Sequence, residues 1–180
     1  HADAPCRINT YGNSFTQCHQ VSDGETWQED LAAHFGEPIR NFGVGGHGVY
    51  QAYQRMLREE SAETSADYVI FNVWIDDHFR SLYPWRWLHT GAFRDHTPLL
   101  NPPTDEASMI LNNPWAHLRL DLESGSFFEE PNPCPTPESL YNLCDLDFCT
   151  EIFASTFPVQ MQLAKEGVSD VRIDILRNAA

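Results

Sequence analysis

Apolar and polar positions alternate and cycle through the first half of the chain in a regular order. Residues 7–12 hold a short alternating run that predicts a strand. In "SDGETWQEDLAAHFG", Trp27, Leu31 and Phe35 recur every four residues and predict a helix. Ser22 and Glu25 have capping-box spacing at its start, and Gly36 suits the position just past its end. "IRNFGVGG" is a second short strand running into glycines. "VYQAYQRMLREE" then puts Val49, Ala52, Tyr53, Met56 and Leu57 on one helical stripe. "DYVIFNVWI" is nearly continuous apolar, as expected of a central parallel strand covered on both faces. Strand–helix–strand–helix–strand predicts an α/β domain with a three-layer, doubly wound, mostly parallel sheet.

The rhythm breaks after residue 77. Residues 78–135 are rich in aromatics, proline and histidine and read as a long loop-bearing insertion within a single domain spanning 1–180. "TPESLYNLCD" resumes with a helix start, Thr136 as cap and Pro137 in the first turn. A helix is expected from about 150 to 165, kinked near Pro158, and "VRIDIL" (171–176) as a fourth strand. A last strand and helix are missing from this pattern.

Charge narrows the partners. Eleven Lys and Arg stand against 26 Asp and Glu, a net charge of −15. Phosphate backbones need facing cations, so nucleic acid is not an expected partner, nor is an anionic membrane surface. No apolar run is long enough to span a bilayer. The chain opens on "HADAP", without methionine, so a leader was removed or the chain was trimmed. Of five cysteines no pair has C-x-x-C spacing; Cys134, Cys144 and Cys149 cluster, and one disulfide among them is expected. This usage favours a secreted or periplasmic protein over a cytoplasmic one.

The ends of the three predicted strands carry "GNSFT", "NFGVGGHG" and "IDDHFR". Parallel strands place their carboxyl ends on one edge, where ligands bind. Ser14, the Gly43–Gly48 loop and the Asp76–His78 turn should therefore converge. His47 and His78 are candidate bases or substrate contacts there. Asp76, Asp77, His78 and His47 are an alternative metal set, suited to Zn, Mn or Fe. Trp74 is expected in the core; Trp85 and Trp87 are candidates to stack on a sugar or acyl chain. Arg80 and Arg86 are candidate anion clamps, or simply balance the acidic surface. Cys18 reads as a structural thiol rather than a rival nucleophile.

These three peptides resemble the blocks of the SGNH (GDSL-type) hydrolase family. Gly12-Asn13-Ser14-Phe15-Thr16 is similar to its first block, Gly-Asp-Ser-Leu/Phe-Thr. Asn41-Phe42-Gly43-Val44-Gly45-Gly46 matches Asn-x-Gly-x-x-Gly, and Trp74-Ile75-Asp76-Asp77 stands at the place of Gly-x-Asn-Asp. The resemblance covers residues 7 to about 82 and, more loosely, the chain to 176. It implies a flavodoxin-like SGNH sheet and a serine-dependent esterase or acylhydrolase, with an acylated carbohydrate among the possible substrates. Ser14 would be the nucleophile, and the N–H groups of Ser14 and Gly46, with the third-block side chain, would form an oxyanion hole. No cofactor is implied.

Three departures shape the expectation. Asn13 replaces an aspartate. Asp76 replaces the third-block amide, and a carboxylate about 4 Å from an oxyanion costs on the order of 4 kcal/mol at an effective dielectric near 20, roughly a thousandfold in rate. Asp76 must then be protonated, bound to a cation or donor, or turned away. The family's late Asp-x-x-His block has no counterpart, since no histidine follows His117. A companion polypeptide, either a C-terminal fragment or a second subunit, is therefore expected to complete the sheet and supply the base. Two alternatives stand beside the esterase: a non-catalytic binding or structural subunit on the same scaffold, and a metal-dependent hydrolase using Asp76, Asp77 and His78.

Overall fold

A computed structural model of the chain describes residues 6–82, 114–145, 148 and 151–152. The chain divides into two compact units, His1–Ser81 and Leu82–Ala180. The predicted helix at 150–165, the strand at 171–176, and Trp85, Arg86, Trp87 and Cys149 lie outside the described residues, apart from a short helical stretch at 151–152.

The first unit is built on three parallel strands, β1 (Ile8–Tyr11), β2 (Ile39–Asn41) and β3 (Tyr68–Phe71). Their order is β2-β1-β3, with Ile8 opposite Ile39 on one side and opposite Tyr68 on the other. This makes a mixed α/β unit. A four-residue helix, α1 (Ser14–Gln17), follows β1 directly. The longer helix α2 (Trp27–Phe35) links β1 to β2, and α3 (Val49–Glu60) carries the chain back across β1 to β3. A last short helix, α4 (Asp77–Arg80), follows β3.

Alternating side chains of β1 meet different helices. Thr10 Oγ1 accepts from Gln28 Nε2 of α2 at 3.2 Å. Asn9 Nδ2 and Tyr11 Oη, pointing the other way, both donate to Glu60 Oε1 at the end of α3, at 2.8 and 2.6 Å. Successive strand residues face opposite sides of a sheet, so α2 and α3 cover opposite faces. The chain leaves β1 for one neighbour, β2, and then returns across it to the other, β3. In open parallel sheets ligands bind in the crevice at the carboxyl ends of the strands.

The interior of this unit is unusually polar. Asn9, Thr10, Asn13, Thr16, Gln28, Gln51 and Asp77 are buried, beside Tyr11, Ile39 and Ala52. Burial of that many polar groups is tolerable because most are bonded. Glu60 is the hub of one network. Besides Asn9 and Tyr11 it accepts from Ala66 N at 2.8 Å. Burial alone would raise its carboxyl, but those donors and nearby Arg40 outweigh it and hold it below the usual carboxylate range. The Tyr11 phenol is pushed up by burial and by the Glu60 carboxylate it donates to.

Four expectations are corrected here. Ser22 and Glu25 do pair, through Ser22 N and Glu25 Oε2 at 3.2 Å, but they cap a 3₁₀ turn (Asp23–Glu25); α2 itself starts under a separate cap, Thr26. Helix α3 turns only part of its predicted apolar stripe inward. Gln51 and Ala52 are buried while Tyr53 and Leu57 are exposed, because Arg55 stacks over Phe42 and Glu60 reaches β1. Among the described residues β3 is an edge strand and β1 the central one, with Tyr68 59% exposed. Trp74, expected in the core, is 52% exposed.

The second unit holds a hairpin inside the stretch read as loops. Strands β4 (His117–Leu120) and β5 (Phe127–Glu130) pair antiparallel, with His117 opposite Glu130. Arg119 donates to Glu130 at 2.7 Å and lies over the Phe128 ring. Asp121 organises the turn by accepting from Ser124 Oγ at 2.6 Å and Glu123 N at 3.0 Å. A 3₁₀ helix, Glu138–Cys144, follows Thr136, whose Oγ1 accepts from Ser139 N. Cys134 is a free, buried thiol, so it forms no disulfide of the expected cluster. Burial pushes that thiol up. Among the described residues no helix is long and apolar enough to cross a membrane.

Candidate active site

The three strand ends meet at one edge. Val44 N donates to Gly12 O at 3.0 Å, and Gly45 N to Gln17 Oε1 at 2.6 Å, which fastens the glycine loop after β2 to the turn after β1. Asn72 N donates to Tyr11 O at 2.8 Å, carrying the ladder past the end of β3. The rings of Phe15 and Trp74 lie 5.1 Å apart across the same edge. Ser14, the glycine loop and the Asp76–His78 turn are thus neighbours in space.

Ser14 opens α1, on a sharp strand-to-helix turn. Gly12 makes that turn with φ +154°, where a Cβ would run into Thr16 Oγ1 and lie 2.9 Å from Asn72 O. Only glycine fits such a backbone and such a gap. Asn13 caps the helix: its Oδ1 accepts from Phe15 N at 2.8 Å. Its backbone carbonyl accepts from Thr16 N and Gln17 N at 3.1 and 3.0 Å. Ser14 is left half-buried. Among the described residues its hydroxyl makes no hydrogen bond, and neither its N–H nor that of Gly46 meets an acceptor. Gly46 sits buried in the second loop with φ +88°.

The residues around Asp76 and Asp77 divide the work in a way the sequence does not reveal. Asp77 is buried, 2% exposed, and its carboxylate accepts from Asn13 Nδ2 at 2.7 and 2.8 Å and from Trp74 N at 2.8 Å. Asp76 is turned to Arg80, whose Nε and Nη2 lie 3.1 and 3.0 Å from its Oδ2. Arg80 Nη1 also stands 3.4 Å from Asp77 Oδ1. Of the fates open to a carboxylate in the amide's place, Asp76 takes the cation. Asn13 in place of aspartate has a reason too: a carboxylate there could not donate to Asp77.

The candidate bases differ. His47 is partly buried in the loop just before α3. Burial first, then Arg55 and Arg58, lowers its imidazole to about 4. It is neutral at pH 7, but taking a proton there costs about 3 kcal/mol more than at an ordinary imidazole. His78 is exposed on α4 and makes no hydrogen bond among the described residues. Among the described residues no three His, Cys, Asp or Glu side chains lie close enough together to hold a metal. The carboxylates of the metal-site reading are committed to Asn13, Trp74 N and Arg80 instead. Cys18 Sγ donates to Phe15 O at 3.1 Å, in a structural role.

His47 also makes stability pH-dependent. Its pKa is lower folded than unfolded, so between about 6.5 and 4 the unfolded chain binds more protons. Stability is full above the ordinary value and is lost as pH falls, by up to about 3 kcal/mol once below pH 4. Urea melts at pH 7 and pH 4.5 should show a smaller loss in His47→Asn than in the parent. Equal losses would remove His47 as the source.

Compared with family models, with curated proteins and with solved structures, the chain matches none of them. The α/β unit and the geometry at its strand ends therefore carry the functional reading.

Proposed function

We propose that the first unit carries the nucleophile and oxyanion donors of a serine-dependent ester hydrolase. The substrate is a small-molecule or carbohydrate ester. The single observation behind this is Ser14, presented on a glycine-turned, asparagine-capped elbow at the end of the central strand, beside the glycine loop. Ser14 Oγ attacks the carbonyl carbon while its proton passes to a base. The carbonyl oxygen becomes an oxyanion that accepts from Ser14 N–H and Gly46 N–H, and such preorganised donors are worth several kcal/mol in a dry site. Collapse expels the alcohol, which takes the proton, and water then releases the acid from the acyl-serine. With Asp76 held by Arg80, the oxyanion is not opposed by an unpaired charge.

His47 is a poor base, and His78 is not bonded to Ser14. The proton acceptor in this proposal is an imidazole, oriented by a carboxylate, on a companion polypeptide that packs against the sheet. A secreted or periplasmic setting belongs to the same proposal. The Ser14 hydroxyl, unbonded among the described residues, favours one other reading, a binding subunit with the chemistry lost.

A fluorophosphonate probe separates the two when used on the native material together with any polypeptide that copurifies. An adduct on the peptide holding Ser14, absent after heat denaturation, is the expected result. A preparation that hydrolyses p-nitrophenyl esters yet is labelled elsewhere overturns the nucleophile assignment. Neither labelling nor turnover, with a ligand still stabilising the fold, establishes the binding subunit.

A further inference from the structure

We propose that Asn13 and Asp77 form one positioning pair that holds the Ser14 turn in register with the end of β3, the two residue types being conditional on each other. The proposal rests on the reading of Ser14 as nucleophile. Asn13 uses both ends of its side chain. Its Oδ1 accepts from Phe15 N, the residue after Ser14, and its Nδ2 donates to Asp77. Asp77 in turn accepts from Trp74 N, in the turn after β3. One continuous set of bonds therefore runs from the backbone beside Ser14, through two buried side chains, to the backbone beyond β3. Asn13 is 1% exposed and Asp77 2%, so water does not substitute for either partner.

The donor and acceptor inventory fixes which residue stands where. Three donors converge on Asp77: Asn13 Nδ2, Trp74 N and the Arg80 guanidinium. Position 13 must accept from Phe15 N and donate across the edge, which an amide does and a carboxylate does not. Asn13→Asp alone sets two carboxylates face to face in a buried place. Asp77→Asn alone turns an N–H₂ group toward other donors. Exchanging both restores the complement: the carboxylate introduced at position 13 accepts from Phe15 N and from the amide introduced at position 77, whose oxygen accepts from Trp74 N. Only the long contact to Arg80 is given up.

The test measures two things on N13D, D77N and the exchange N13D/D77N, in the native material at a temperature well below each melt. The first is the fluorophosphonate labelling rate of Ser14 together with KM for p-nitrophenyl acetate. The second is hydrogen exchange of a peptide covering residues 12–18, which reads the Phe15 and Thr16 amides whether or not Ser14 reacts. Displacement of a reacting group by about 1 Å costs on the order of a hundredfold, so each single variant should label roughly 10- to 100-fold more slowly with KM little changed. Amide protection over 12–18 should fall in both. The exchange variant should recover most of the labelling and the protection. Asn13→Ser keeps a capping oxygen but is too short to reach Asp77, and it serves where a single variant does not fold. Parent-like labelling and protection in the folded variants, or an exchange variant no better than the worse single one, overturns the pair. If the parent itself is not labelled, the nucleophile reading fails, and the exchange data alone decide whether the pair holds the turn.

Discussion

Ser14→Ala is expected to lower ester turnover of the native material by at least about a thousandfold while moving the melting temperature by no more than about 2 °C. The two halves of that result come from the same geometry. The hydroxyl makes no hydrogen bond among the described residues, so its removal leaves no partner behind. Alanine is the best helix former and sits at the first residue of α1 without strain. Turnover collapses because a nucleophile cannot be replaced by binding alone, although oxyanion donors leave some rate above water. Initial rates on short p-nitrophenyl esters, paired with calorimetry, read both halves. Undiminished turnover in a folded variant would remove Ser14 from the chemistry.

Gly48→Ala is expected to be strongly destabilising. The φ of Gly48 is an ordinary −90°, so backbone strain is not the reason. Space is. A Cβ there would run into Ser81 N and stand 2.6 Å from Asp77 O and 2.7 Å from Arg80 C. All three are backbone atoms of α4 and the residue after it, so no side chain can swing aside. The start of α3 and the α4 turn must separate, which costs about 1–3 kcal/mol or more. The same movement carries Asp77 away from Asn13. Denaturant melts should show the lower midpoint, and the folded fraction should label slowly at Ser14. A variant as stable as the parent would mean that α4 shifts freely at this point.

Elements with clear local signals were legible in the sequence. Strand alternation marked β1, and Gly36 marked the end of α2, where it takes φ +68° with its N–H on Ala32 O. The meeting of the three strand ends followed from parallel order alone. What failed was the choice of buried face. Period 3.6 located α3, but hydrophobicity pointed its Tyr53 and Leu57 inward, whereas the buried Gln51 accepts from Gly48 N at the helix start and Glu60 satisfies Asn9 and Tyr11. A polar sheet face inverts the usual rule, and a hydropathy pattern cannot announce it. The hairpin of β4 and β5 had a signal that the proline and aromatic content masked: "HLRL" and "FFEE" flank a turn-forming "DLESGS".

At the site, Ser14 and the glycine loop were visible as motifs. The division of labour between Asp76 and Asp77 was not. Adjacent aspartates look alike in sequence, and only the fold shows that one faces Arg80 while the other faces Asn13. Arg80 itself looked like a surface cation. An i,i+4 relation to Asp76 on a helix was the available clue.

The amide- and hydroxyl-rich interior around β1 has a thermal consequence. Uncovering polar area lowers the heat capacity of unfolding by about 0.26 cal/K/mol per Å², where apolar area raises it by about 0.45. A sheet lined by Asn9, Thr10, Thr16 and Gln28 therefore unfolds with a small heat-capacity increment for its size. Its free-energy curve is broad and shallow. Cooling takes little stability from it, and the enthalpy of melting changes only slowly with the temperature at which melting is made to occur.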